Sequence, residues 1–340
     1  MARITLTAEE YENLLLHEQY LEEKLIVVGG GANYGQVVFL AGGAGSGKGF
    51  SLSNFMDANK FKVRDVDEWK SAFMKLDAIR KDASKVQKGI SGKDLRKKAV
   101  MRYAKSHADD PKGTSPEIPQ MPTKDLDDLD LRNADDVFTL HNLVDNLGIK
   151  DKTLNYLLGG AKSRDRLPNI VFDITMKNTR NMNEAVSKLL SVGYQSQNIH
   201  IVWVLSDYDF AVQANMERNR RVPGKILLQT HEGAARTMSA IVRGEIPRNV
   251  NGGVYVIMGG EKNTVYWTDK KGNKITVTPK FNNPQNRSFP VIKSFTYLKV
   301  KEAGKRFMPD KEIQRKLNDF MGDRVPASVR KEIEKSKLKD

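Results

Sequence analysis

Residues 37–48 read Val37-Val38-Phe39-Leu40-Ala41-Gly42-Gly43-Ala44-Gly45-Ser46-Gly47-Lys48. The apolar run 37–40 fits a strand buried on both faces, the kind found in parallel sheets. Residues 42–48 fit G-x-x-x-x-G-K, and 50–58 has the pattern of a following helix. Strand, glycine loop and helix in that order are the context in which such a loop cradles phosphates. Glycines let successive backbone N–H groups converge, and the helix N-terminus adds the positive end of its dipole. Gly42, Gly43, Ala44, Gly45, Ser46, Gly47, Lys48 and Gly49 are therefore the expected nucleotide-binding residues, with Lys48 supplying charge at the β- and γ-phosphates. The alternative, a glycine-rich turn with a chance lysine, does not account for the flanking elements. Gly49 occupies the place where a Ser or Thr hydroxyl usually ligates Mg²⁺. The metal is then expected on carboxylates, water and the nucleotide, or on Ser51.

Three further segments carry chemistry. A second strand, 61–66, runs into Arg64-Asp65-Val66-Asp67-Glu68-Trp69-Lys70. Ligands of open α/β sheets sit outside the carboxyl ends of strands, and a carboxylate there can take a proton from an attacking hydroxyl. Asp67 is the first candidate for that base and Asp65 the second; either could instead cap the helix expected over 68–80. A third strand, 169–174, holds Ile170-Val171-Phe172-Asp173. An apolar strand closed by Asp suits Mg²⁺ ligation by Asp173, with Asp67 as a further ligand. Thr175 and Lys177, just beyond, are substrate candidates. A fourth strand is expected over 199–205. The helix after it, 208–221, ends in Arg218-Asn219-Arg220-Arg221. Arg218 and Arg221 could close over a nucleotide and neutralise charge on a transferred phosphoryl group, with Arg220 towards the substrate. Cations at a helix C-terminus also complement its dipole.

Strands alternating with helices predict an α/β fold, a P-loop parallel sheet flanked by helices. The expected division is an N-terminal helix and linker over 1–35, a P-loop domain over 36–245, and a β-rich appendage with a charged helical tail over 246–340. The first part rests on a Thr7-x-x-Glu10 capping box and a helical pattern over 8–24. A partly helical insertion interrupts the second over about 82–165: its start is lysine-rich, then aspartate-rich, with four prolines between 111 and 122. In the third, short strands are expected at 254–258, 264–268 and 274–278, with a hairpin turn through Lys270-Lys271-Gly272.

The 340 residues include no cysteine, which excludes disulfides, thiolate metal sites and cysteine nucleophiles. No apolar run is long enough for a membrane span, and residues 1–10 carry no secretory pattern. A soluble cytoplasmic protein without a membrane partner is the expectation. The formal charge is +14, carried by the last third: residues 218–340 hold 27 Lys+Arg against 12 Asp+Glu. Such asymmetry points to a polyanion, DNA or RNA, or to a solvated lysine-rich surface. Aromatics among these cations, including Tyr266, Trp267 and Phe295, could stack on bases or pack inward.

The segments 36–75 and 168–240 resemble the zeta-toxin-like branch of the P-loop kinases, close to polynucleotide kinases. The resemblance rests on the glycine loop, on Asp65-Val66-Asp67-Glu68-Trp69-Lys70, on Asp173, on Arg218 and Arg221, and on His231 in Leu228-Gln229-Thr230-His231. It implies Asp67 as catalytic base, ATP or GTP with Mg²⁺ as cofactors, and γ-phosphoryl transfer to a hydroxyl. The acceptors it allows include nucleic-acid ends, a nucleotide-activated sugar, and a 5-hydroxymethylated pyrimidine in DNA, a bacteriophage activity. The basic last third orders nucleic acid first, a nucleotide sugar or small nucleotide second, and a nucleic-acid-binding ATPase third.

Overall fold

In the computed structural model, the described residues are 34–56, 60–66, 69–74, 128–146, 148–159, 167–217, 222, 224–260, 263–277, 288–322 and 324–329. The helix expected over 8–24, the whole of 82–127, Asp67, Arg218, Arg220 and Arg221 lie outside them.

Strands β1 (Val37–Ala41), β2 (Lys62–Arg64), β3 (Ile170–Ile174), β4 (Ile199–Leu205) and β5 (Val254–Met258) belong to one sheet. A later strand at its edge, Tyr297–Lys301, completes six, in the order edge strand, β5, β4, β1, β3, β2. All neighbours run parallel except the edge strand, which is antiparallel to β5. The fold is the expected α/β sheet flanked by helices. Every residue of β1, β4 and β5 is buried, as a parallel sheet covered on both faces requires.

Alternate residues of each strand feed two cores. Phe39, Phe172, Ile201, Trp203 and Val256 face one side. There they meet helices α4 (Arg180–Ser191), α6 (Gly224–Val242) and α7 (Lys311–Met321), through residues such as Leu189, Met238 and Phe320. Phe39 and Phe172 stack across neighbouring strands at 4.8 Å. Val38, Leu40, Val202, Val204 and Ile257 face the other side, where helix α1 (Lys48–Phe55) supplies Leu52. Helices α2 (Ala134–Asn146) and α3 (Ile149–Leu158) come from the expected insertion, and α5 (Tyr208–Glu217) follows β4.

One expectation is corrected. Val254–Met258 is not part of a separate β-rich appendage: it pairs with β4 from Ile201↔Val254 to Leu205↔Met258, inside the main sheet. Its five buried residues need cover on both faces, which a small appendage could not provide. The expected charged helix of the tail is present as α7, and it buries Leu317, Phe320 and Met321 on one face. Asp310 caps it, accepting from Glu312 N at 2.8 Å and Ile313 N at 3.1 Å.

The remaining strands are β6 (Thr264–Tyr266), β7 (Thr276–Val277), β8 (Phe289–Pro290) and β9 (Ile292–Phe295), with Tyr297–Lys301 as β10. They form two-stranded pairs, β6 with β9 and β7 with β8. Ile292, with Tyr266 and Phe295 beside it, covers the α1 side of the main sheet. The expected hairpin is present: Thr268 bridges Lys274, and Asp269 accepts from Lys271 N at 2.8 Å and Asn273 N at 2.9 Å. Among the described residues, no helix is long and apolar enough to cross a membrane.

Candidate active site

Strand register places the chemistry at one end of the sheet. Leu40 pairs with Asp173 and Ala41 with Ile174, so the loop starting at Gly42 leaves the sheet beside Asp173. Arg64 pairs with Phe172, which sets the next residue, Asp65, at the level of Asp173. Ala41 pairs with Trp203 on the other side. The loop, Asp65 and Asp173 thus share the carboxyl ends of β1, β2 and β3, where open α/β sheets bind ligands.

The loop is built to present donors. Gly47 is the N-cap of α1 with φ 87°, a left-handed conformation that glycine adopts without steric cost. No side chain caps the helix, so its first N–H groups, at Lys48 and Gly49, have no intrahelical acceptor. Among the described residues, the N–H groups of Gly45 and Gly47 have no acceptor either. Unpaired backbone donors at a helix N-terminus form an anion site. Lys48 Nζ donates to Gly42 O at 2.9 Å and Gly43 O at 3.2 Å, and lies 3.6 Å from Asp173 Oδ1. The ammonium is thus held between loop and strand, its side chain 11% exposed.

These residues fit a nucleotide triphosphate: the loop supplies donors without acceptors, and Lys48 supplies charge. They also fit Mg²⁺ bound chiefly through phosphates and water, for which one protein carboxylate suffices. Asp173 is the carboxylate at the loop that could hold it; among the described residues no cluster of three or more metal-ligating side chains exists. Ser51, the alternative hydroxyl, is buried in the first turns of α1 and donates its N–H to Gly47 O at 2.9 Å. The Ser46 hydroxyl is buried without a partner beside Gly42.

Of the substrate candidates, Thr175 is half-buried and Lys177 exposed. Between them Met176 has φ 48°, so the chain turns sharply just past Asp173. The backbone of Lys177 then packs on Gly233 of α6, too closely to admit a Cβ there. Arg64 turns away from the loop: it donates to Thr153 Oγ1 at 3.3 Å and to Lys150 O on α3, and stacks over Phe172 at 5.1 Å. Burial lowers its pKa. Its role is to tie α3 to the sheet edge.

Two residues of the Leu228-Gln229-Thr230-His231 segment hold the loop, a contact the sequence did not indicate. His231 Nε2 bonds Ala44 O at 2.7 Å, and Thr230 Oγ1 accepts from Ala44 N at 3.4 Å. The imidazole meets Tyr208 edge-on at 5.3 Å. Burial, and less strongly the Lys48 charge, lower its pKa against the bond to Ala44. A Cβ on Gly43 would overlap the ring, so glycine is required there by the histidine.

No protein-family model matches the chain, and no curated protein matches it. Among solved structures, a chain of the PezAT chromosomal toxin–antitoxin system of Streptococcus pneumoniae is 10% identical, with a TM-score of 0.35 over 75% of this chain and 78% of that one. A chain of the AvrRxo1-ORF1:AvrRxo1-ORF2 complex with sulphate ions is 11% identical, with a TM-score of 0.34 over 98% of this chain and 92% of that one. A chain of the same complex with ATP is 11% identical, with a TM-score of 0.33 over 98% and 92%. Likenesses this low carry no argument about activity.

Proposed function

We propose that the chain is an NTP-dependent phosphotransferase that moves the γ-phosphoryl group of ATP or GTP to an alcohol hydroxyl, with nucleic acid as acceptor. The observation carrying the reading is the position of Lys48 Nζ, 3.6 Å from Asp173 Oδ1 and bonded to the carbonyls of the loop. A phosphate cradle, its lysine and a metal-type carboxylate therefore meet at one sheet end.

The N–H groups of Gly45, Gly47 and the first turn of α1 bind the phosphates, and Lys48 supplies positive charge where negative charge develops. Asp173 would hold Mg²⁺, which when bound neutralises charge on phosphate oxygens. Asp67 accepts the acceptor hydroxyl's proton as its oxygen bonds to the γ-phosphorus and the bond to the bridging oxygen breaks. Arg218 and Arg221 neutralise the transferred group. Lys177, Thr175 and Arg220 serve to bind the acceptor.

Charge supports nucleic acid as acceptor. Lys270, Lys271, Lys274 and Lys293 are all exposed around the β6–β9 hairpin region, and Lys293 and Lys274 lie over Trp267 and Tyr266 at 4.8 and 4.3 Å. A polynucleotide gains from many such cations, whereas a small acceptor needs few. DNA carrying 5-hydroxymethylated pyrimidines is the sharpest version of this reading.

The test is transfer of label from γ-labelled ATP or GTP, with DNA, RNA and a nucleotide sugar offered separately. Label in polynucleotide supports the reading. Label in the sugar keeps the kinase and replaces the acceptor. Free phosphate alone replaces the kinase with an ATPase.

A further inference from the structure

Ala44 is the one residue of the loop whose N–H and C=O are both taken by another element. Consecutive residues of α6 do this, Thr230 through its hydroxyl and His231 through Nε2. The peptide between Ala44 and Gly45 is planar and trans, so its C=O and N–H point in opposite directions. Drawing Ala44 O towards His231 turns Gly45 N–H away from α6. That N–H has no acceptor among the described residues.

We propose that Thr230 and His231 pin the phosphate loop, His231 acting as a positioning residue that fixes Gly45 N–H for a triphosphate. The inference rests on the nucleotide reading above. A donor fixed beforehand needs no reorganisation when the anion arrives. For the bond to Ala44 O, Nε2 carries the proton, and the lowered pKa keeps the ring neutral in this tautomer. The ring's contact with Gly43 resists rotation of the loop towards α6. Tyr208, edge-on to the imidazole, holds the ring plane. The pin belongs to the helix that begins at Gly224, three residues beyond Arg221 in the chain.

Titration of the full chain with a fluorescent ATP analogue tests this, alongside thermal melting. His231→Leu keeps the approximate volume and loses the donor. Its affinity should fall about tenfold, the scale of one hydrogen bond, while its melting stays cooperative. His231→Gln, whose amide reaches the Nε2 position, should bind within about threefold of the parent. If the Leu chain does not fold, His231→Asn replaces it, its amide being one methylene short. A Leu or Asn chain that binds like the parent, or a Gln chain no better than either, overturns the pin while leaving the nucleotide reading intact. A parent chain that binds no triphosphate, like its Lys48→Ala control, overturns the nucleotide reading and the pin with it.

Discussion

Lys48 Nζ and Asp173 Oδ1 stand 3.6 Å apart, across the gap between the glycine loop and β3. The ammonium also donates to Gly42 O and Gly43 O, so one side chain fixes both the loop and the carboxylate facing it. Lys48→Ala should lower kcat/KM by about 10²–10³, the usual scale for losing one preorganised charge contact. Melting should change little, because the lost contacts belong to the loop. Steady-state phosphoryl transfer, read beside a thermal melt, checks both.

Asp173→Asn separates metal binding from phosphate binding. With the carboxylate gone, Mg²⁺ should no longer strengthen nucleotide binding, while binding in chelator should persist or improve because a negative charge has left the site. Nucleotide titrations with and without Mg²⁺ give the contrast. An Asn chain with the parent's metal dependence would mean that the ion is held elsewhere.

Asp67 and Asp65 compete for the role of base. Asp67→Asn should preserve nucleotide affinity and lower transfer by about 10²–10⁴, the range for general base catalysis. Asp65→Asn should leave most turnover in place. The opposite pattern moves the base to Asp65, the residue that follows Arg64, itself paired with Phe172.

The legible parts of this molecule were local. Strand, glycine loop and Lys48 are neighbours in sequence, and β1, β3 and β4 announce themselves because burial on both faces demands unbroken apolar runs. Val254–Met258 reads as a strand for the same reason, yet its partner does not, since the pairing with β4 crosses two helices. The charged residues of α7 hide the apolar stripe Leu317, Phe320 and Met321, spaced i, i+3, i+4. The second strand was expected over 61–66 and spans only Lys62–Arg64, with Lys62 and Val63 exposed at the sheet edge. His231 and Ala44 are 187 residues apart, a contact no local spacing encodes.

A polynucleotide acceptor predicts a steep salt dependence. Lys270 and Lys271 are exposed at the turn shaped by Asp269. Lys270→Gln with Lys271→Gln should weaken DNA binding and flatten the slope of log K against log salt by about 2, near 0.9 per lost phosphate contact. Fluorescence anisotropy across a salt series measures it. An unchanged slope would remove the hairpin from the nucleic-acid surface.

His200 sets an acid limit on stability. Its Nδ1 accepts from Gly253 N at 2.8 Å and its Nε2 meets Gln36 Oε1 at 3.0 Å, with the residue fully buried. A proton on Nδ1 would face the Gly253 N–H donor, so the fold admits the neutral ring. Burial first, then the Lys301 charge, lower its pKa to about 4, against about 6.5 in the unfolded chain. Between these values the unfolded state binds more protons, so stability is complete above pH 6.5 and falls as pH drops towards 4. The loss approaches about 3 kcal/mol at the lower end, from 1.36 kcal/mol per pKa unit. Denaturant melts at pH 7, 6, 5 and 4.5 should show this decline. The decline should be shallower in His200→Gln, which lacks the titrating ring, although that chain starts from lower stability at pH 7. Parallel declines in both chains would assign the acid sensitivity to other groups.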